Sequence, residues 1–572
     1  MLKLSKKKFC LPVTLLTPKR LESGQATETW GNIMDTQQIM MKKGYDSQIV
    51  FEDLLKRFNL TNKYPIHFLV DEDRNKEFLA TVRKDNPFPN VLSLVLASLR
   101  KKGINRLFAE EKVLQTPVVA AVLTLSDVLA TDIASLRHAD TSKAEIFTDV
   151  SYAGMQAIRL YIADYKDKEF RKARYNSAVR VDNALNGSFY KYETKDHRFV
   201  SFHVYYQSQQ EKLVKALKLK KESKKFSFIS TPFDRKYLAK VMKNYTAQEL
   251  EDLAFDCGAC GCVIRSREEW ESTEVGKAVK DMPLIRFEEK GKTELPKWGS
   301  DLSSGPLTGI KVLDLTHIIA GPACSRILAE YGADVLLVRR GKFMDQEQAM
   351  LELDGWAGKD SIQLDLNIEA DLKRMKELIK EADVITYSYQ NGCFDKFGLS
   401  ADEIQKINPN VIFANLNCFS DTVWKDRPGW APCAEDITGL SVRNGSMEQP
   451  VNLNGVPLDY IPGFILALGT LKAIKEKLET GKTMRVTTSL TRGAMYLHEC
   501  TDICSKKYEG SLSTDIINSD AGKKFGYIRT YVKDNCIGEV GFPTPATYNT
   551  LFTDKTSNMT FHDARKGFKG EE

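Results

Sequence analysis

GPLTGIKVLDLTHIIAGPACSRILAEYGADVLLVRRG, residues 305–341, alternates apolar runs with a glycine-containing turn in the pattern strand, helix, strand. Ile310–Leu315 is a β-branched and aliphatic run, and His317–Gly321 is a turn. Pro322 suits a first helical position, and Cys324–Tyr331 carries a helical face. Gly332 stops that helix and Ala333–Val338 is a second strand. The unit is βαβ, and its first loop opens onto a helix N-terminus, where free backbone N–H groups favour a negatively charged ligand.

Working downstream, Ser361–Leu366 reads as a strand, and Glu369–Glu381 as a helix with apolar Leu372, Met375, Leu378 and Ile379. Val384–Tyr387 is a strand, Phe394–Ile407 is mostly helical, and Val411–Asn417 is a further strand. Alternation at these lengths predicts an α/β fold with a doubly wound parallel sheet and helices on both faces. Ligand then belongs beyond the carboxyl ends of the strands. His317–Ala320, Arg340, Ser388–Gly392 and the loop after Asn417 all fall there.

At 572 residues the chain is too long for one core and predicts two or three domains. Lys and Arg number 82 against 76 Asp and Glu, a near balance that demands neither nucleic acid nor a membrane surface. The Lys-rich patch Lys215–Lys225 reads as the solvated end of a helix. The longest apolar runs, Val118–Leu129 and Ile461–Leu471, are too short or too interrupted to span a bilayer, so a soluble protein is expected. Eleven scattered cysteines suit a reducing compartment. Cys257, Cys260 and Cys262 in CGACGC lack a second Cys or His cluster at zinc-like spacing, so they read as small buried or loop thiols, and no metal is expected. The N-terminus is basic up to Arg20 with no acid before Glu22. It fits a cytosolic basic tail and a mitochondrial presequence alike; the cytoplasm is the expected compartment. The final Gly-Glu-Glu is no peroxisomal address.

The block LDLTHIIAGPACSRILAEYGADV followed by an Arg pair resembles the opening of the family III CoA-transferases (CaiB/BaiF type). That group includes formyl-CoA transferase, carnitine CoA-transferase and α-methylacyl-CoA racemase. The resemblance continues in order through SIQLDLN, ADVITYSYQNGCFDKFGLS, INPNVIFANLNCFS, DRPGW, GVPLDYIPGFILALGTLKAI and ETGKTMRVTTSL. It implies a Rossmann-like large domain and a smaller α+β domain. A nicotinamide-binding protein is disfavoured, because the first loop THIIAGPA lacks GxGxxG.

The chain also repeats itself. AAVLTLSDVLATDIASLRHADTSKAEIFTDVSYAGM from Ala120 aligns on DYIPGFILALGTLKAIKEKLETGKTMRVTTSLTRGAM from Asp459, pairing Thr141 with Thr480 and Gly154 with Gly493 without a gap, with only the final Met displaced by one. Ala120 stands where the later copy has Asp459. Between the copies, NALNGSFYKYETKDHRFVSFHVYYQSQQEKLVKALKL (residues 183–219) reads as a β-hairpin followed by an amphipathic helix, resembling the family's small domain. LPKWGSDLSSGPL (residues 295–307) reads as a linker. The expected organisation is a rearranged tandem duplication. Residues 1–170 are a degenerate large-domain portion, 171–294 the small domain, 295–505 the large domain carrying the nucleophile, and 506–572 a C-terminal extension.

The resemblance assigns Asp459 as the catalytic residue, a nucleophile in the transferases and an acid/base in the racemases. Asp459 follows Val456-Pro457-Leu458 and precedes a helix-forming run beginning near Pro462, which predicts a strand-to-helix turn, where its plainer role would be a helix N-cap. Arg340 and Lys396 match basic residues that contact the nucleotide end of CoA, whose phosphates want fixed positive charge. His317, Ile319 and Ala320 belong to the same implied CoA site. So do Ser388 and Tyr389, which stand where the family has Asn-Phe, and Trp430 in the RPGYD-like block. A racemase would have His at Trp430, and indole serves as neither acid nor base. Glu435 stands at the family's Gln and Ala431 at its Asp.

The expected function is therefore an acyl-CoA:carboxylate CoA-transferase. It takes a CoA thioester as substrate, has no permanently bound cofactor, and takes an acyl-CoA donor and a carboxylic acid acceptor as partners. The alternatives are a racemase-like enzyme and a catalytically silent CoA-binding protein. Family members form interlocked homodimers, and the tandem order fits either a single-chain equivalent or a dimer of such units.

Overall fold

The computed structural model describes residues 36–70, 111–159, 164–165, 191–204, 207–219, 232–340, 354–453, 455–507, 532–534, 540–542, 547–549, 551 and 567–569. In the N-terminal half, α1 (Thr36–Arg57) leads to β1 (Ile66–Leu69), then α2 (Thr116–Leu136), β2 (Ile146–Asp149) and α3 (Val150–Gln156). Helix α2 is apolar on nearly every side and buried along most of its length, the pattern of a core helix. Asp149 ends β2 and caps α3, accepting the N–H groups of Ser151 and Tyr152 at 3.0 and 3.1 Å. The stretch Val91–Lys101, whose sequence pattern is helical, lies outside the described residues.

After β3 (Asp164–Tyr165), the predicted hairpin is β4 (Lys191–Glu193) with β5 (Phe199–Phe202), an antiparallel pair. There follow α4 (Gln207–Ala216), α5 (Pro232–Met242), α6 (Ala247–Asp256), β6 (Gly261–Val263), α7 (Arg267–Ser272), α8 (Glu274–Asp281) and β7 (Arg286–Lys292). Strand β6 pairs with β5, and Val200, Phe202, Leu213, Leu238 and Leu250 form a separate small core beneath them. Capping boxes at Thr246/Glu249 and Ser266/Glu269 start α6 and α7. Cys260 and Cys262 are buried, and the Cys262 Sγ lies 3.2 Å from the Ser201 hydroxyl.

The quoted stretch forms β8 (Lys311–Leu315), α9 (Ala320–Glu330) and β9 (Asp334–Arg339). Beyond it come β10 (Asp360–Gln363), α10 (Glu369–Glu381), β11 (Val384–Tyr387), α11 (Ala401–Ile407), β12 (Ile412–Asn417), α12 (Ala431–Ile437) and α13 (Leu440–Asn444). Then follow α14 (Pro457–Thr480), β13 (Lys482–Ser489) and α15 (Leu490–Lys507), and last the short strands β14 (Val532–Asp534), β15 (Val540–Phe542) and β16 (Thr547–Asn549). The large sheet has the order β10-β9-β8-β11-β12-β13-β7. All neighbours are parallel except β7, which closes the edge antiparallel to β13. This is the doubly wound α/β order, whose strand sequence reverses between β8 and β11. Alternate residues explain the two faces. Val312 joins the core under α9 and α14, while Leu313 and Leu315 join the core under α10 and α11.

The three-stranded sheet β1-β2-β16 has the same pairing as the β12-β13-β7 edge: the middle strand is parallel to one neighbour and antiparallel to the other. Helices α2 and α14 pack against each other between these sheets. Each is long and apolar enough to cross a membrane by composition, which the sequence reading did not expect; here both are buried mainly in the protein core. Polar bonds tie the halves further. Arg137 at the end of α2 donates to the carbonyls of Trp298, Gly299, Asp301 and Pro306 at 2.7–3.0 Å, gripping the predicted linker. The Tyr331 hydroxyl donates to Asp127 on α2 at 2.8 Å.

Candidate active site

The two loops that meet at the strand-order reversal follow β8 and β11. After β8 the chain runs through His317 and Ile318 into α9, and Ile318 adopts φ +66°, a left-handed conformation costly for a β-branched side chain. The His317 N–H donates to the Ser388 hydroxyl at 3.2 Å, and its ring stacks on Tyr389 with centroids 4.3 Å apart. Burial lowers the His317 pKa to about 4, so this imidazole is neutral, and its buried Nδ1 has no hydrogen-bond partner among the described residues. Gly321 is required in this corner: a Cβ there would lie 2.6 Å from the Ser388 Oγ. Ile319 and Ala320 are buried at the start of α9, whose N-terminal N–H groups have no side-chain cap.

Helix α14 brings Asp459 to the same corner. A Cβ on Gly463 would lie 2.2 Å from the Ala320 carbonyl oxygen, so α14 presses this face directly on the beginning of α9. Asp459 is one turn earlier on that face. The sequence reading set it at a strand-to-helix turn with the helix starting near Pro462. Instead α14 begins at Pro457 with Val456 as N-cap, and Asp459 sits inside the first turn. Its side chain caps nothing and makes no hydrogen bond or ion pair with any described residue. Burial and the neighbouring charge of Glu435 push its pKa up to about 8.

Glu435 on α12 is itself buried, and its Oε2 accepts the Leu453 N–H and the Asn452 amide, both at 2.9 Å. Burial raises its pKa to about 7. Adjacent Asp436 takes the cation instead, pairing with Lys191 at 2.9 Å and facing His203 at 3.5 Å. Burial works against its charge, but Lys191 and His203 hold its pKa well below the ordinary carboxylate range. Two carboxyls side by side on one helix are thus shifted in opposite directions, Glu435 upward by burial and Asp436 downward by the cation it pairs with. Cys418, just beyond β12, is buried close enough for the Asp459 charge to help raise its pKa, and Ser420 beside it has φ +53°.

The structure therefore brings His317, Ile319, Ala320, Ser388 and Tyr389 together at one corner with Asp459. Trp430 begins α12 next to Gly429, where a Cβ would lie 2.3 Å from the Cys418 Sγ. Arg340 and Lys396 are exposed on the loops after β9 and β11, and no contact among the described residues joins them to that corner; the Lys396 ammonium lies over the Phe397 ring. Sequence reasoning left Glu435 without a role and missed the buried Arg159, Asp354 and Tyr460 beside the Asp459 turn. Pairs so distant in sequence leave no spacing to read.

Residues 307–524 match the model of CoA-transferase family III. The chain carries a CoA-transferase family III domain. An acyl-CoA transferase from Gibberella moniliformis is 33% identical over 290 residues, which is 47% of this chain and 51% of that protein. A formyl-CoA:oxalate CoA-transferase from Escherichia coli is 29% identical over 240 residues, 40% of this chain and 54% of its own length. The chain spans about half the length of the curated relatives it matches. A solved structure of Rv3272 from Mycobacterium tuberculosis is 26% identical over 36% of this chain and 60% of its own, with a TM-score of 0.33. Within the family III domain, the matched segment holds β8 to α15 and Asp459, whereas Arg159 and the hairpin domain precede it.

Proposed function

We propose that the chain is an acyl-CoA:carboxylate CoA-transferase with Asp459 as its nucleophile. The observation that carries this reading is the Asp459 carboxyl. It is partly buried, tied to no described residue, and held over the start of α9 at the strand-order reversal. A carboxylate serving the fold would be capped or paired, as Asp149 and Asp436 are. The names of the relatives, an acyl-CoA transferase and a formyl-CoA:oxalate CoA-transferase, agree with this chemistry.

In the proposed reaction, ionised Asp459 attacks the thioester carbonyl of the donor. The C–S bond breaks, CoA leaves as thiolate, and an aspartyl acyl anhydride remains. The thiolate attacks the aspartyl carbonyl, expelling the donor's acid and leaving an aspartyl-CoA thioester. The acceptor carboxylate attacks that thioester to give a second anhydride, and the returning thiolate releases the new acyl-CoA and free Asp459. One thioester replaces another, so the overall free-energy change is small. Both intermediates are open to hydrolysis, so a partly buried nucleophile suits the task. Helix α9 offers uncapped N–H donors for a developing oxyanion, and Ser388, Tyr389 and neutral His317 form a wall for the pantetheine arm. Arg340 and Lys396, exposed on the outer loops, suit the phosphates.

The tandem reading belongs to the same proposal. The order helix, strand, helix in α2–β2–α3 repeats that of α14–β13–α15, and the matching sheet pairings support two copies, of which one has Ala120 in place of the nucleophile. The test is exchange of an isotopically labelled acid into acyl-CoA by the full chain. Label should enter acyl-CoA with the wild-type protein and not with Asp459→Asn; equal exchange by both would reject Asp459 as the nucleophile.

A further inference from the structure

We propose that Arg159, in the N-terminal half, is a positioning residue for Asp459, acting through Asp354 and Tyr460. The inference rests on Asp459 being the reactive carboxyl. Arg159 is fully buried; its Nε donates to the Asp354 Oδ1 at 2.6 Å and its Nη1 to Gln156 at 2.8 Å. The other oxygen of Asp354 accepts the Tyr460 hydroxyl at 2.9 Å. Tyr460 follows Asp459 directly, and its own N–H bonds back to the Val456 carbonyl that opens the helix. The chain of bonds thus runs from the N-terminal half into the turn that carries the nucleophile.

A second contact presses on the same turn. Gly455 has φ +85°, and a Cβ there would lie 2.6 Å from Ile158 Cγ2 and 3.3 Å from the Ala157 carbonyl oxygen. The segment Ala157–Arg159 therefore meets the turn at two points, the backbone before Asp459 and the side chain after it. Beneath them Arg326 pairs with Glu330 and lies over the Phe464 ring, so two guanidiniums and two carboxylates balance in a buried cluster. Charge-assisted bonds in such a place do not exchange with water and hold geometry firmly. Asp459 needs this from outside because its own carboxyl is tied to no described residue. A nucleophile displaced by about 1 Å loses on the order of a hundredfold in rate.

The test uses the full chain with Tyr460→Phe, Arg159→Lys and Arg159→Met. One readout needs no substrate: carbodiimide adds to protonated carboxyls, and peptide mass spectrometry follows labelling of Asp459 across pH. Loosening the turn admits water, so the pH at which labelling is lost should fall in Tyr460→Phe and in Arg159→Met. The second readout is the single-turnover rate of acyl transfer to Asp459. It should drop about tenfold or more in Tyr460→Phe while the Kd for CoA stays unchanged. Arg159→Lys, which keeps the charge, should recover part of what Arg159→Met loses. Tyr460→Phe removes one hydroxyl, so it keeps the test valid even if Arg159→Met fails to fold. A Tyr460→Phe protein with wild-type labelling and wild-type rate would overturn the proposal, as would a loss of Tm alone. If wild-type Asp459 is never acylated, the transferase reading fails, and the labelling curve still decides whether Arg159 positions this turn.

Discussion

Asp459 and Glu435 are two carboxyls that keep their protons far above the ordinary range, at about 8 and about 7; burial raises both, and the Glu435 charge makes Asp459 harder to ionise. Attack needs ionised Asp459, so the single-turnover rate should rise with pH through neutrality. In Glu435→Gln the opposing charge is gone while an oxygen remains for the Leu453 N–H. The rising limb should therefore move to lower pH; an unmoved limb in a folded variant would uncouple the two residues. Stability follows the opposite course. The unfolded chain loses the Asp459 proton near pH 4 and the folded chain only near pH 8, so folding weakens as pH climbs between those values. Asp459→Asn should remove this decline, raising Tm at pH 7 while ending transfer, and melting curves across pH check it. Glu435 was visible in the sequence only as a departure from a resembled pattern. Its role emerged from burial and from Asp436 taking the available cation.

Helices α9 and α14 cross where Gly463 meets Ala320, and the crossing sets how close Asp459, one turn earlier, comes to the uncapped helix start. Gly463→Ala would force the helices apart at that point. We expect a loss of about 2 kcal/mol in urea unfolding and a fall in single-turnover rate; an unchanged rate would mean the crossing does not set the site. At this scale much was legible. Strand β11 and helix α10 have the predicted ends, because buried β-branched runs and a periodic apolar face bounded by acidic and basic turns leave little choice. The long helix expected over Phe394–Ile407 is split into a short 3-10 turn and α11, since Gly398 adopts φ +65°. The sequence puts the first turn of α14 near Pro462, too late by about one turn. In fact Pro457 holds that position, and Pro462 is accommodated within the helix with its ring against Gly493.

Across the whole molecule, the halves share one apolar cluster through α2 and α14 and are laced by Arg137, by Tyr331 with Asp127, and by Arg159 with Asp354. They should unfold together, with far-ultraviolet circular dichroism and tryptophan fluorescence giving coincident urea transitions; separate transitions would contradict a shared core. Arg137→Ala leaves four carbonyls without their donor and should cost about 3 kcal/mol in both probes at once. The register between Ala120 and Asp459 was legible because both segments keep the same helix and strand periods, giving the helix, strand, helix order of α2–β2–α3 and α14–β13–α15. What the first half does for the second was not legible. The Arg159 contact joins residues some 200 to 300 positions apart, and only folding makes them neighbours.

Covalent transfer through Asp459 is tested by incubating the full chain with a panel of short acyl-CoAs, trapping with hydroxylamine and examining the peptides by mass spectrometry. A hydroxamate should form on Asp459 with at least one donor and be absent in Asp459→Asn. An unmodified Asp459 with every donor, in a protein that binds CoA, would contradict covalent transfer and leave a CoA-binding protein.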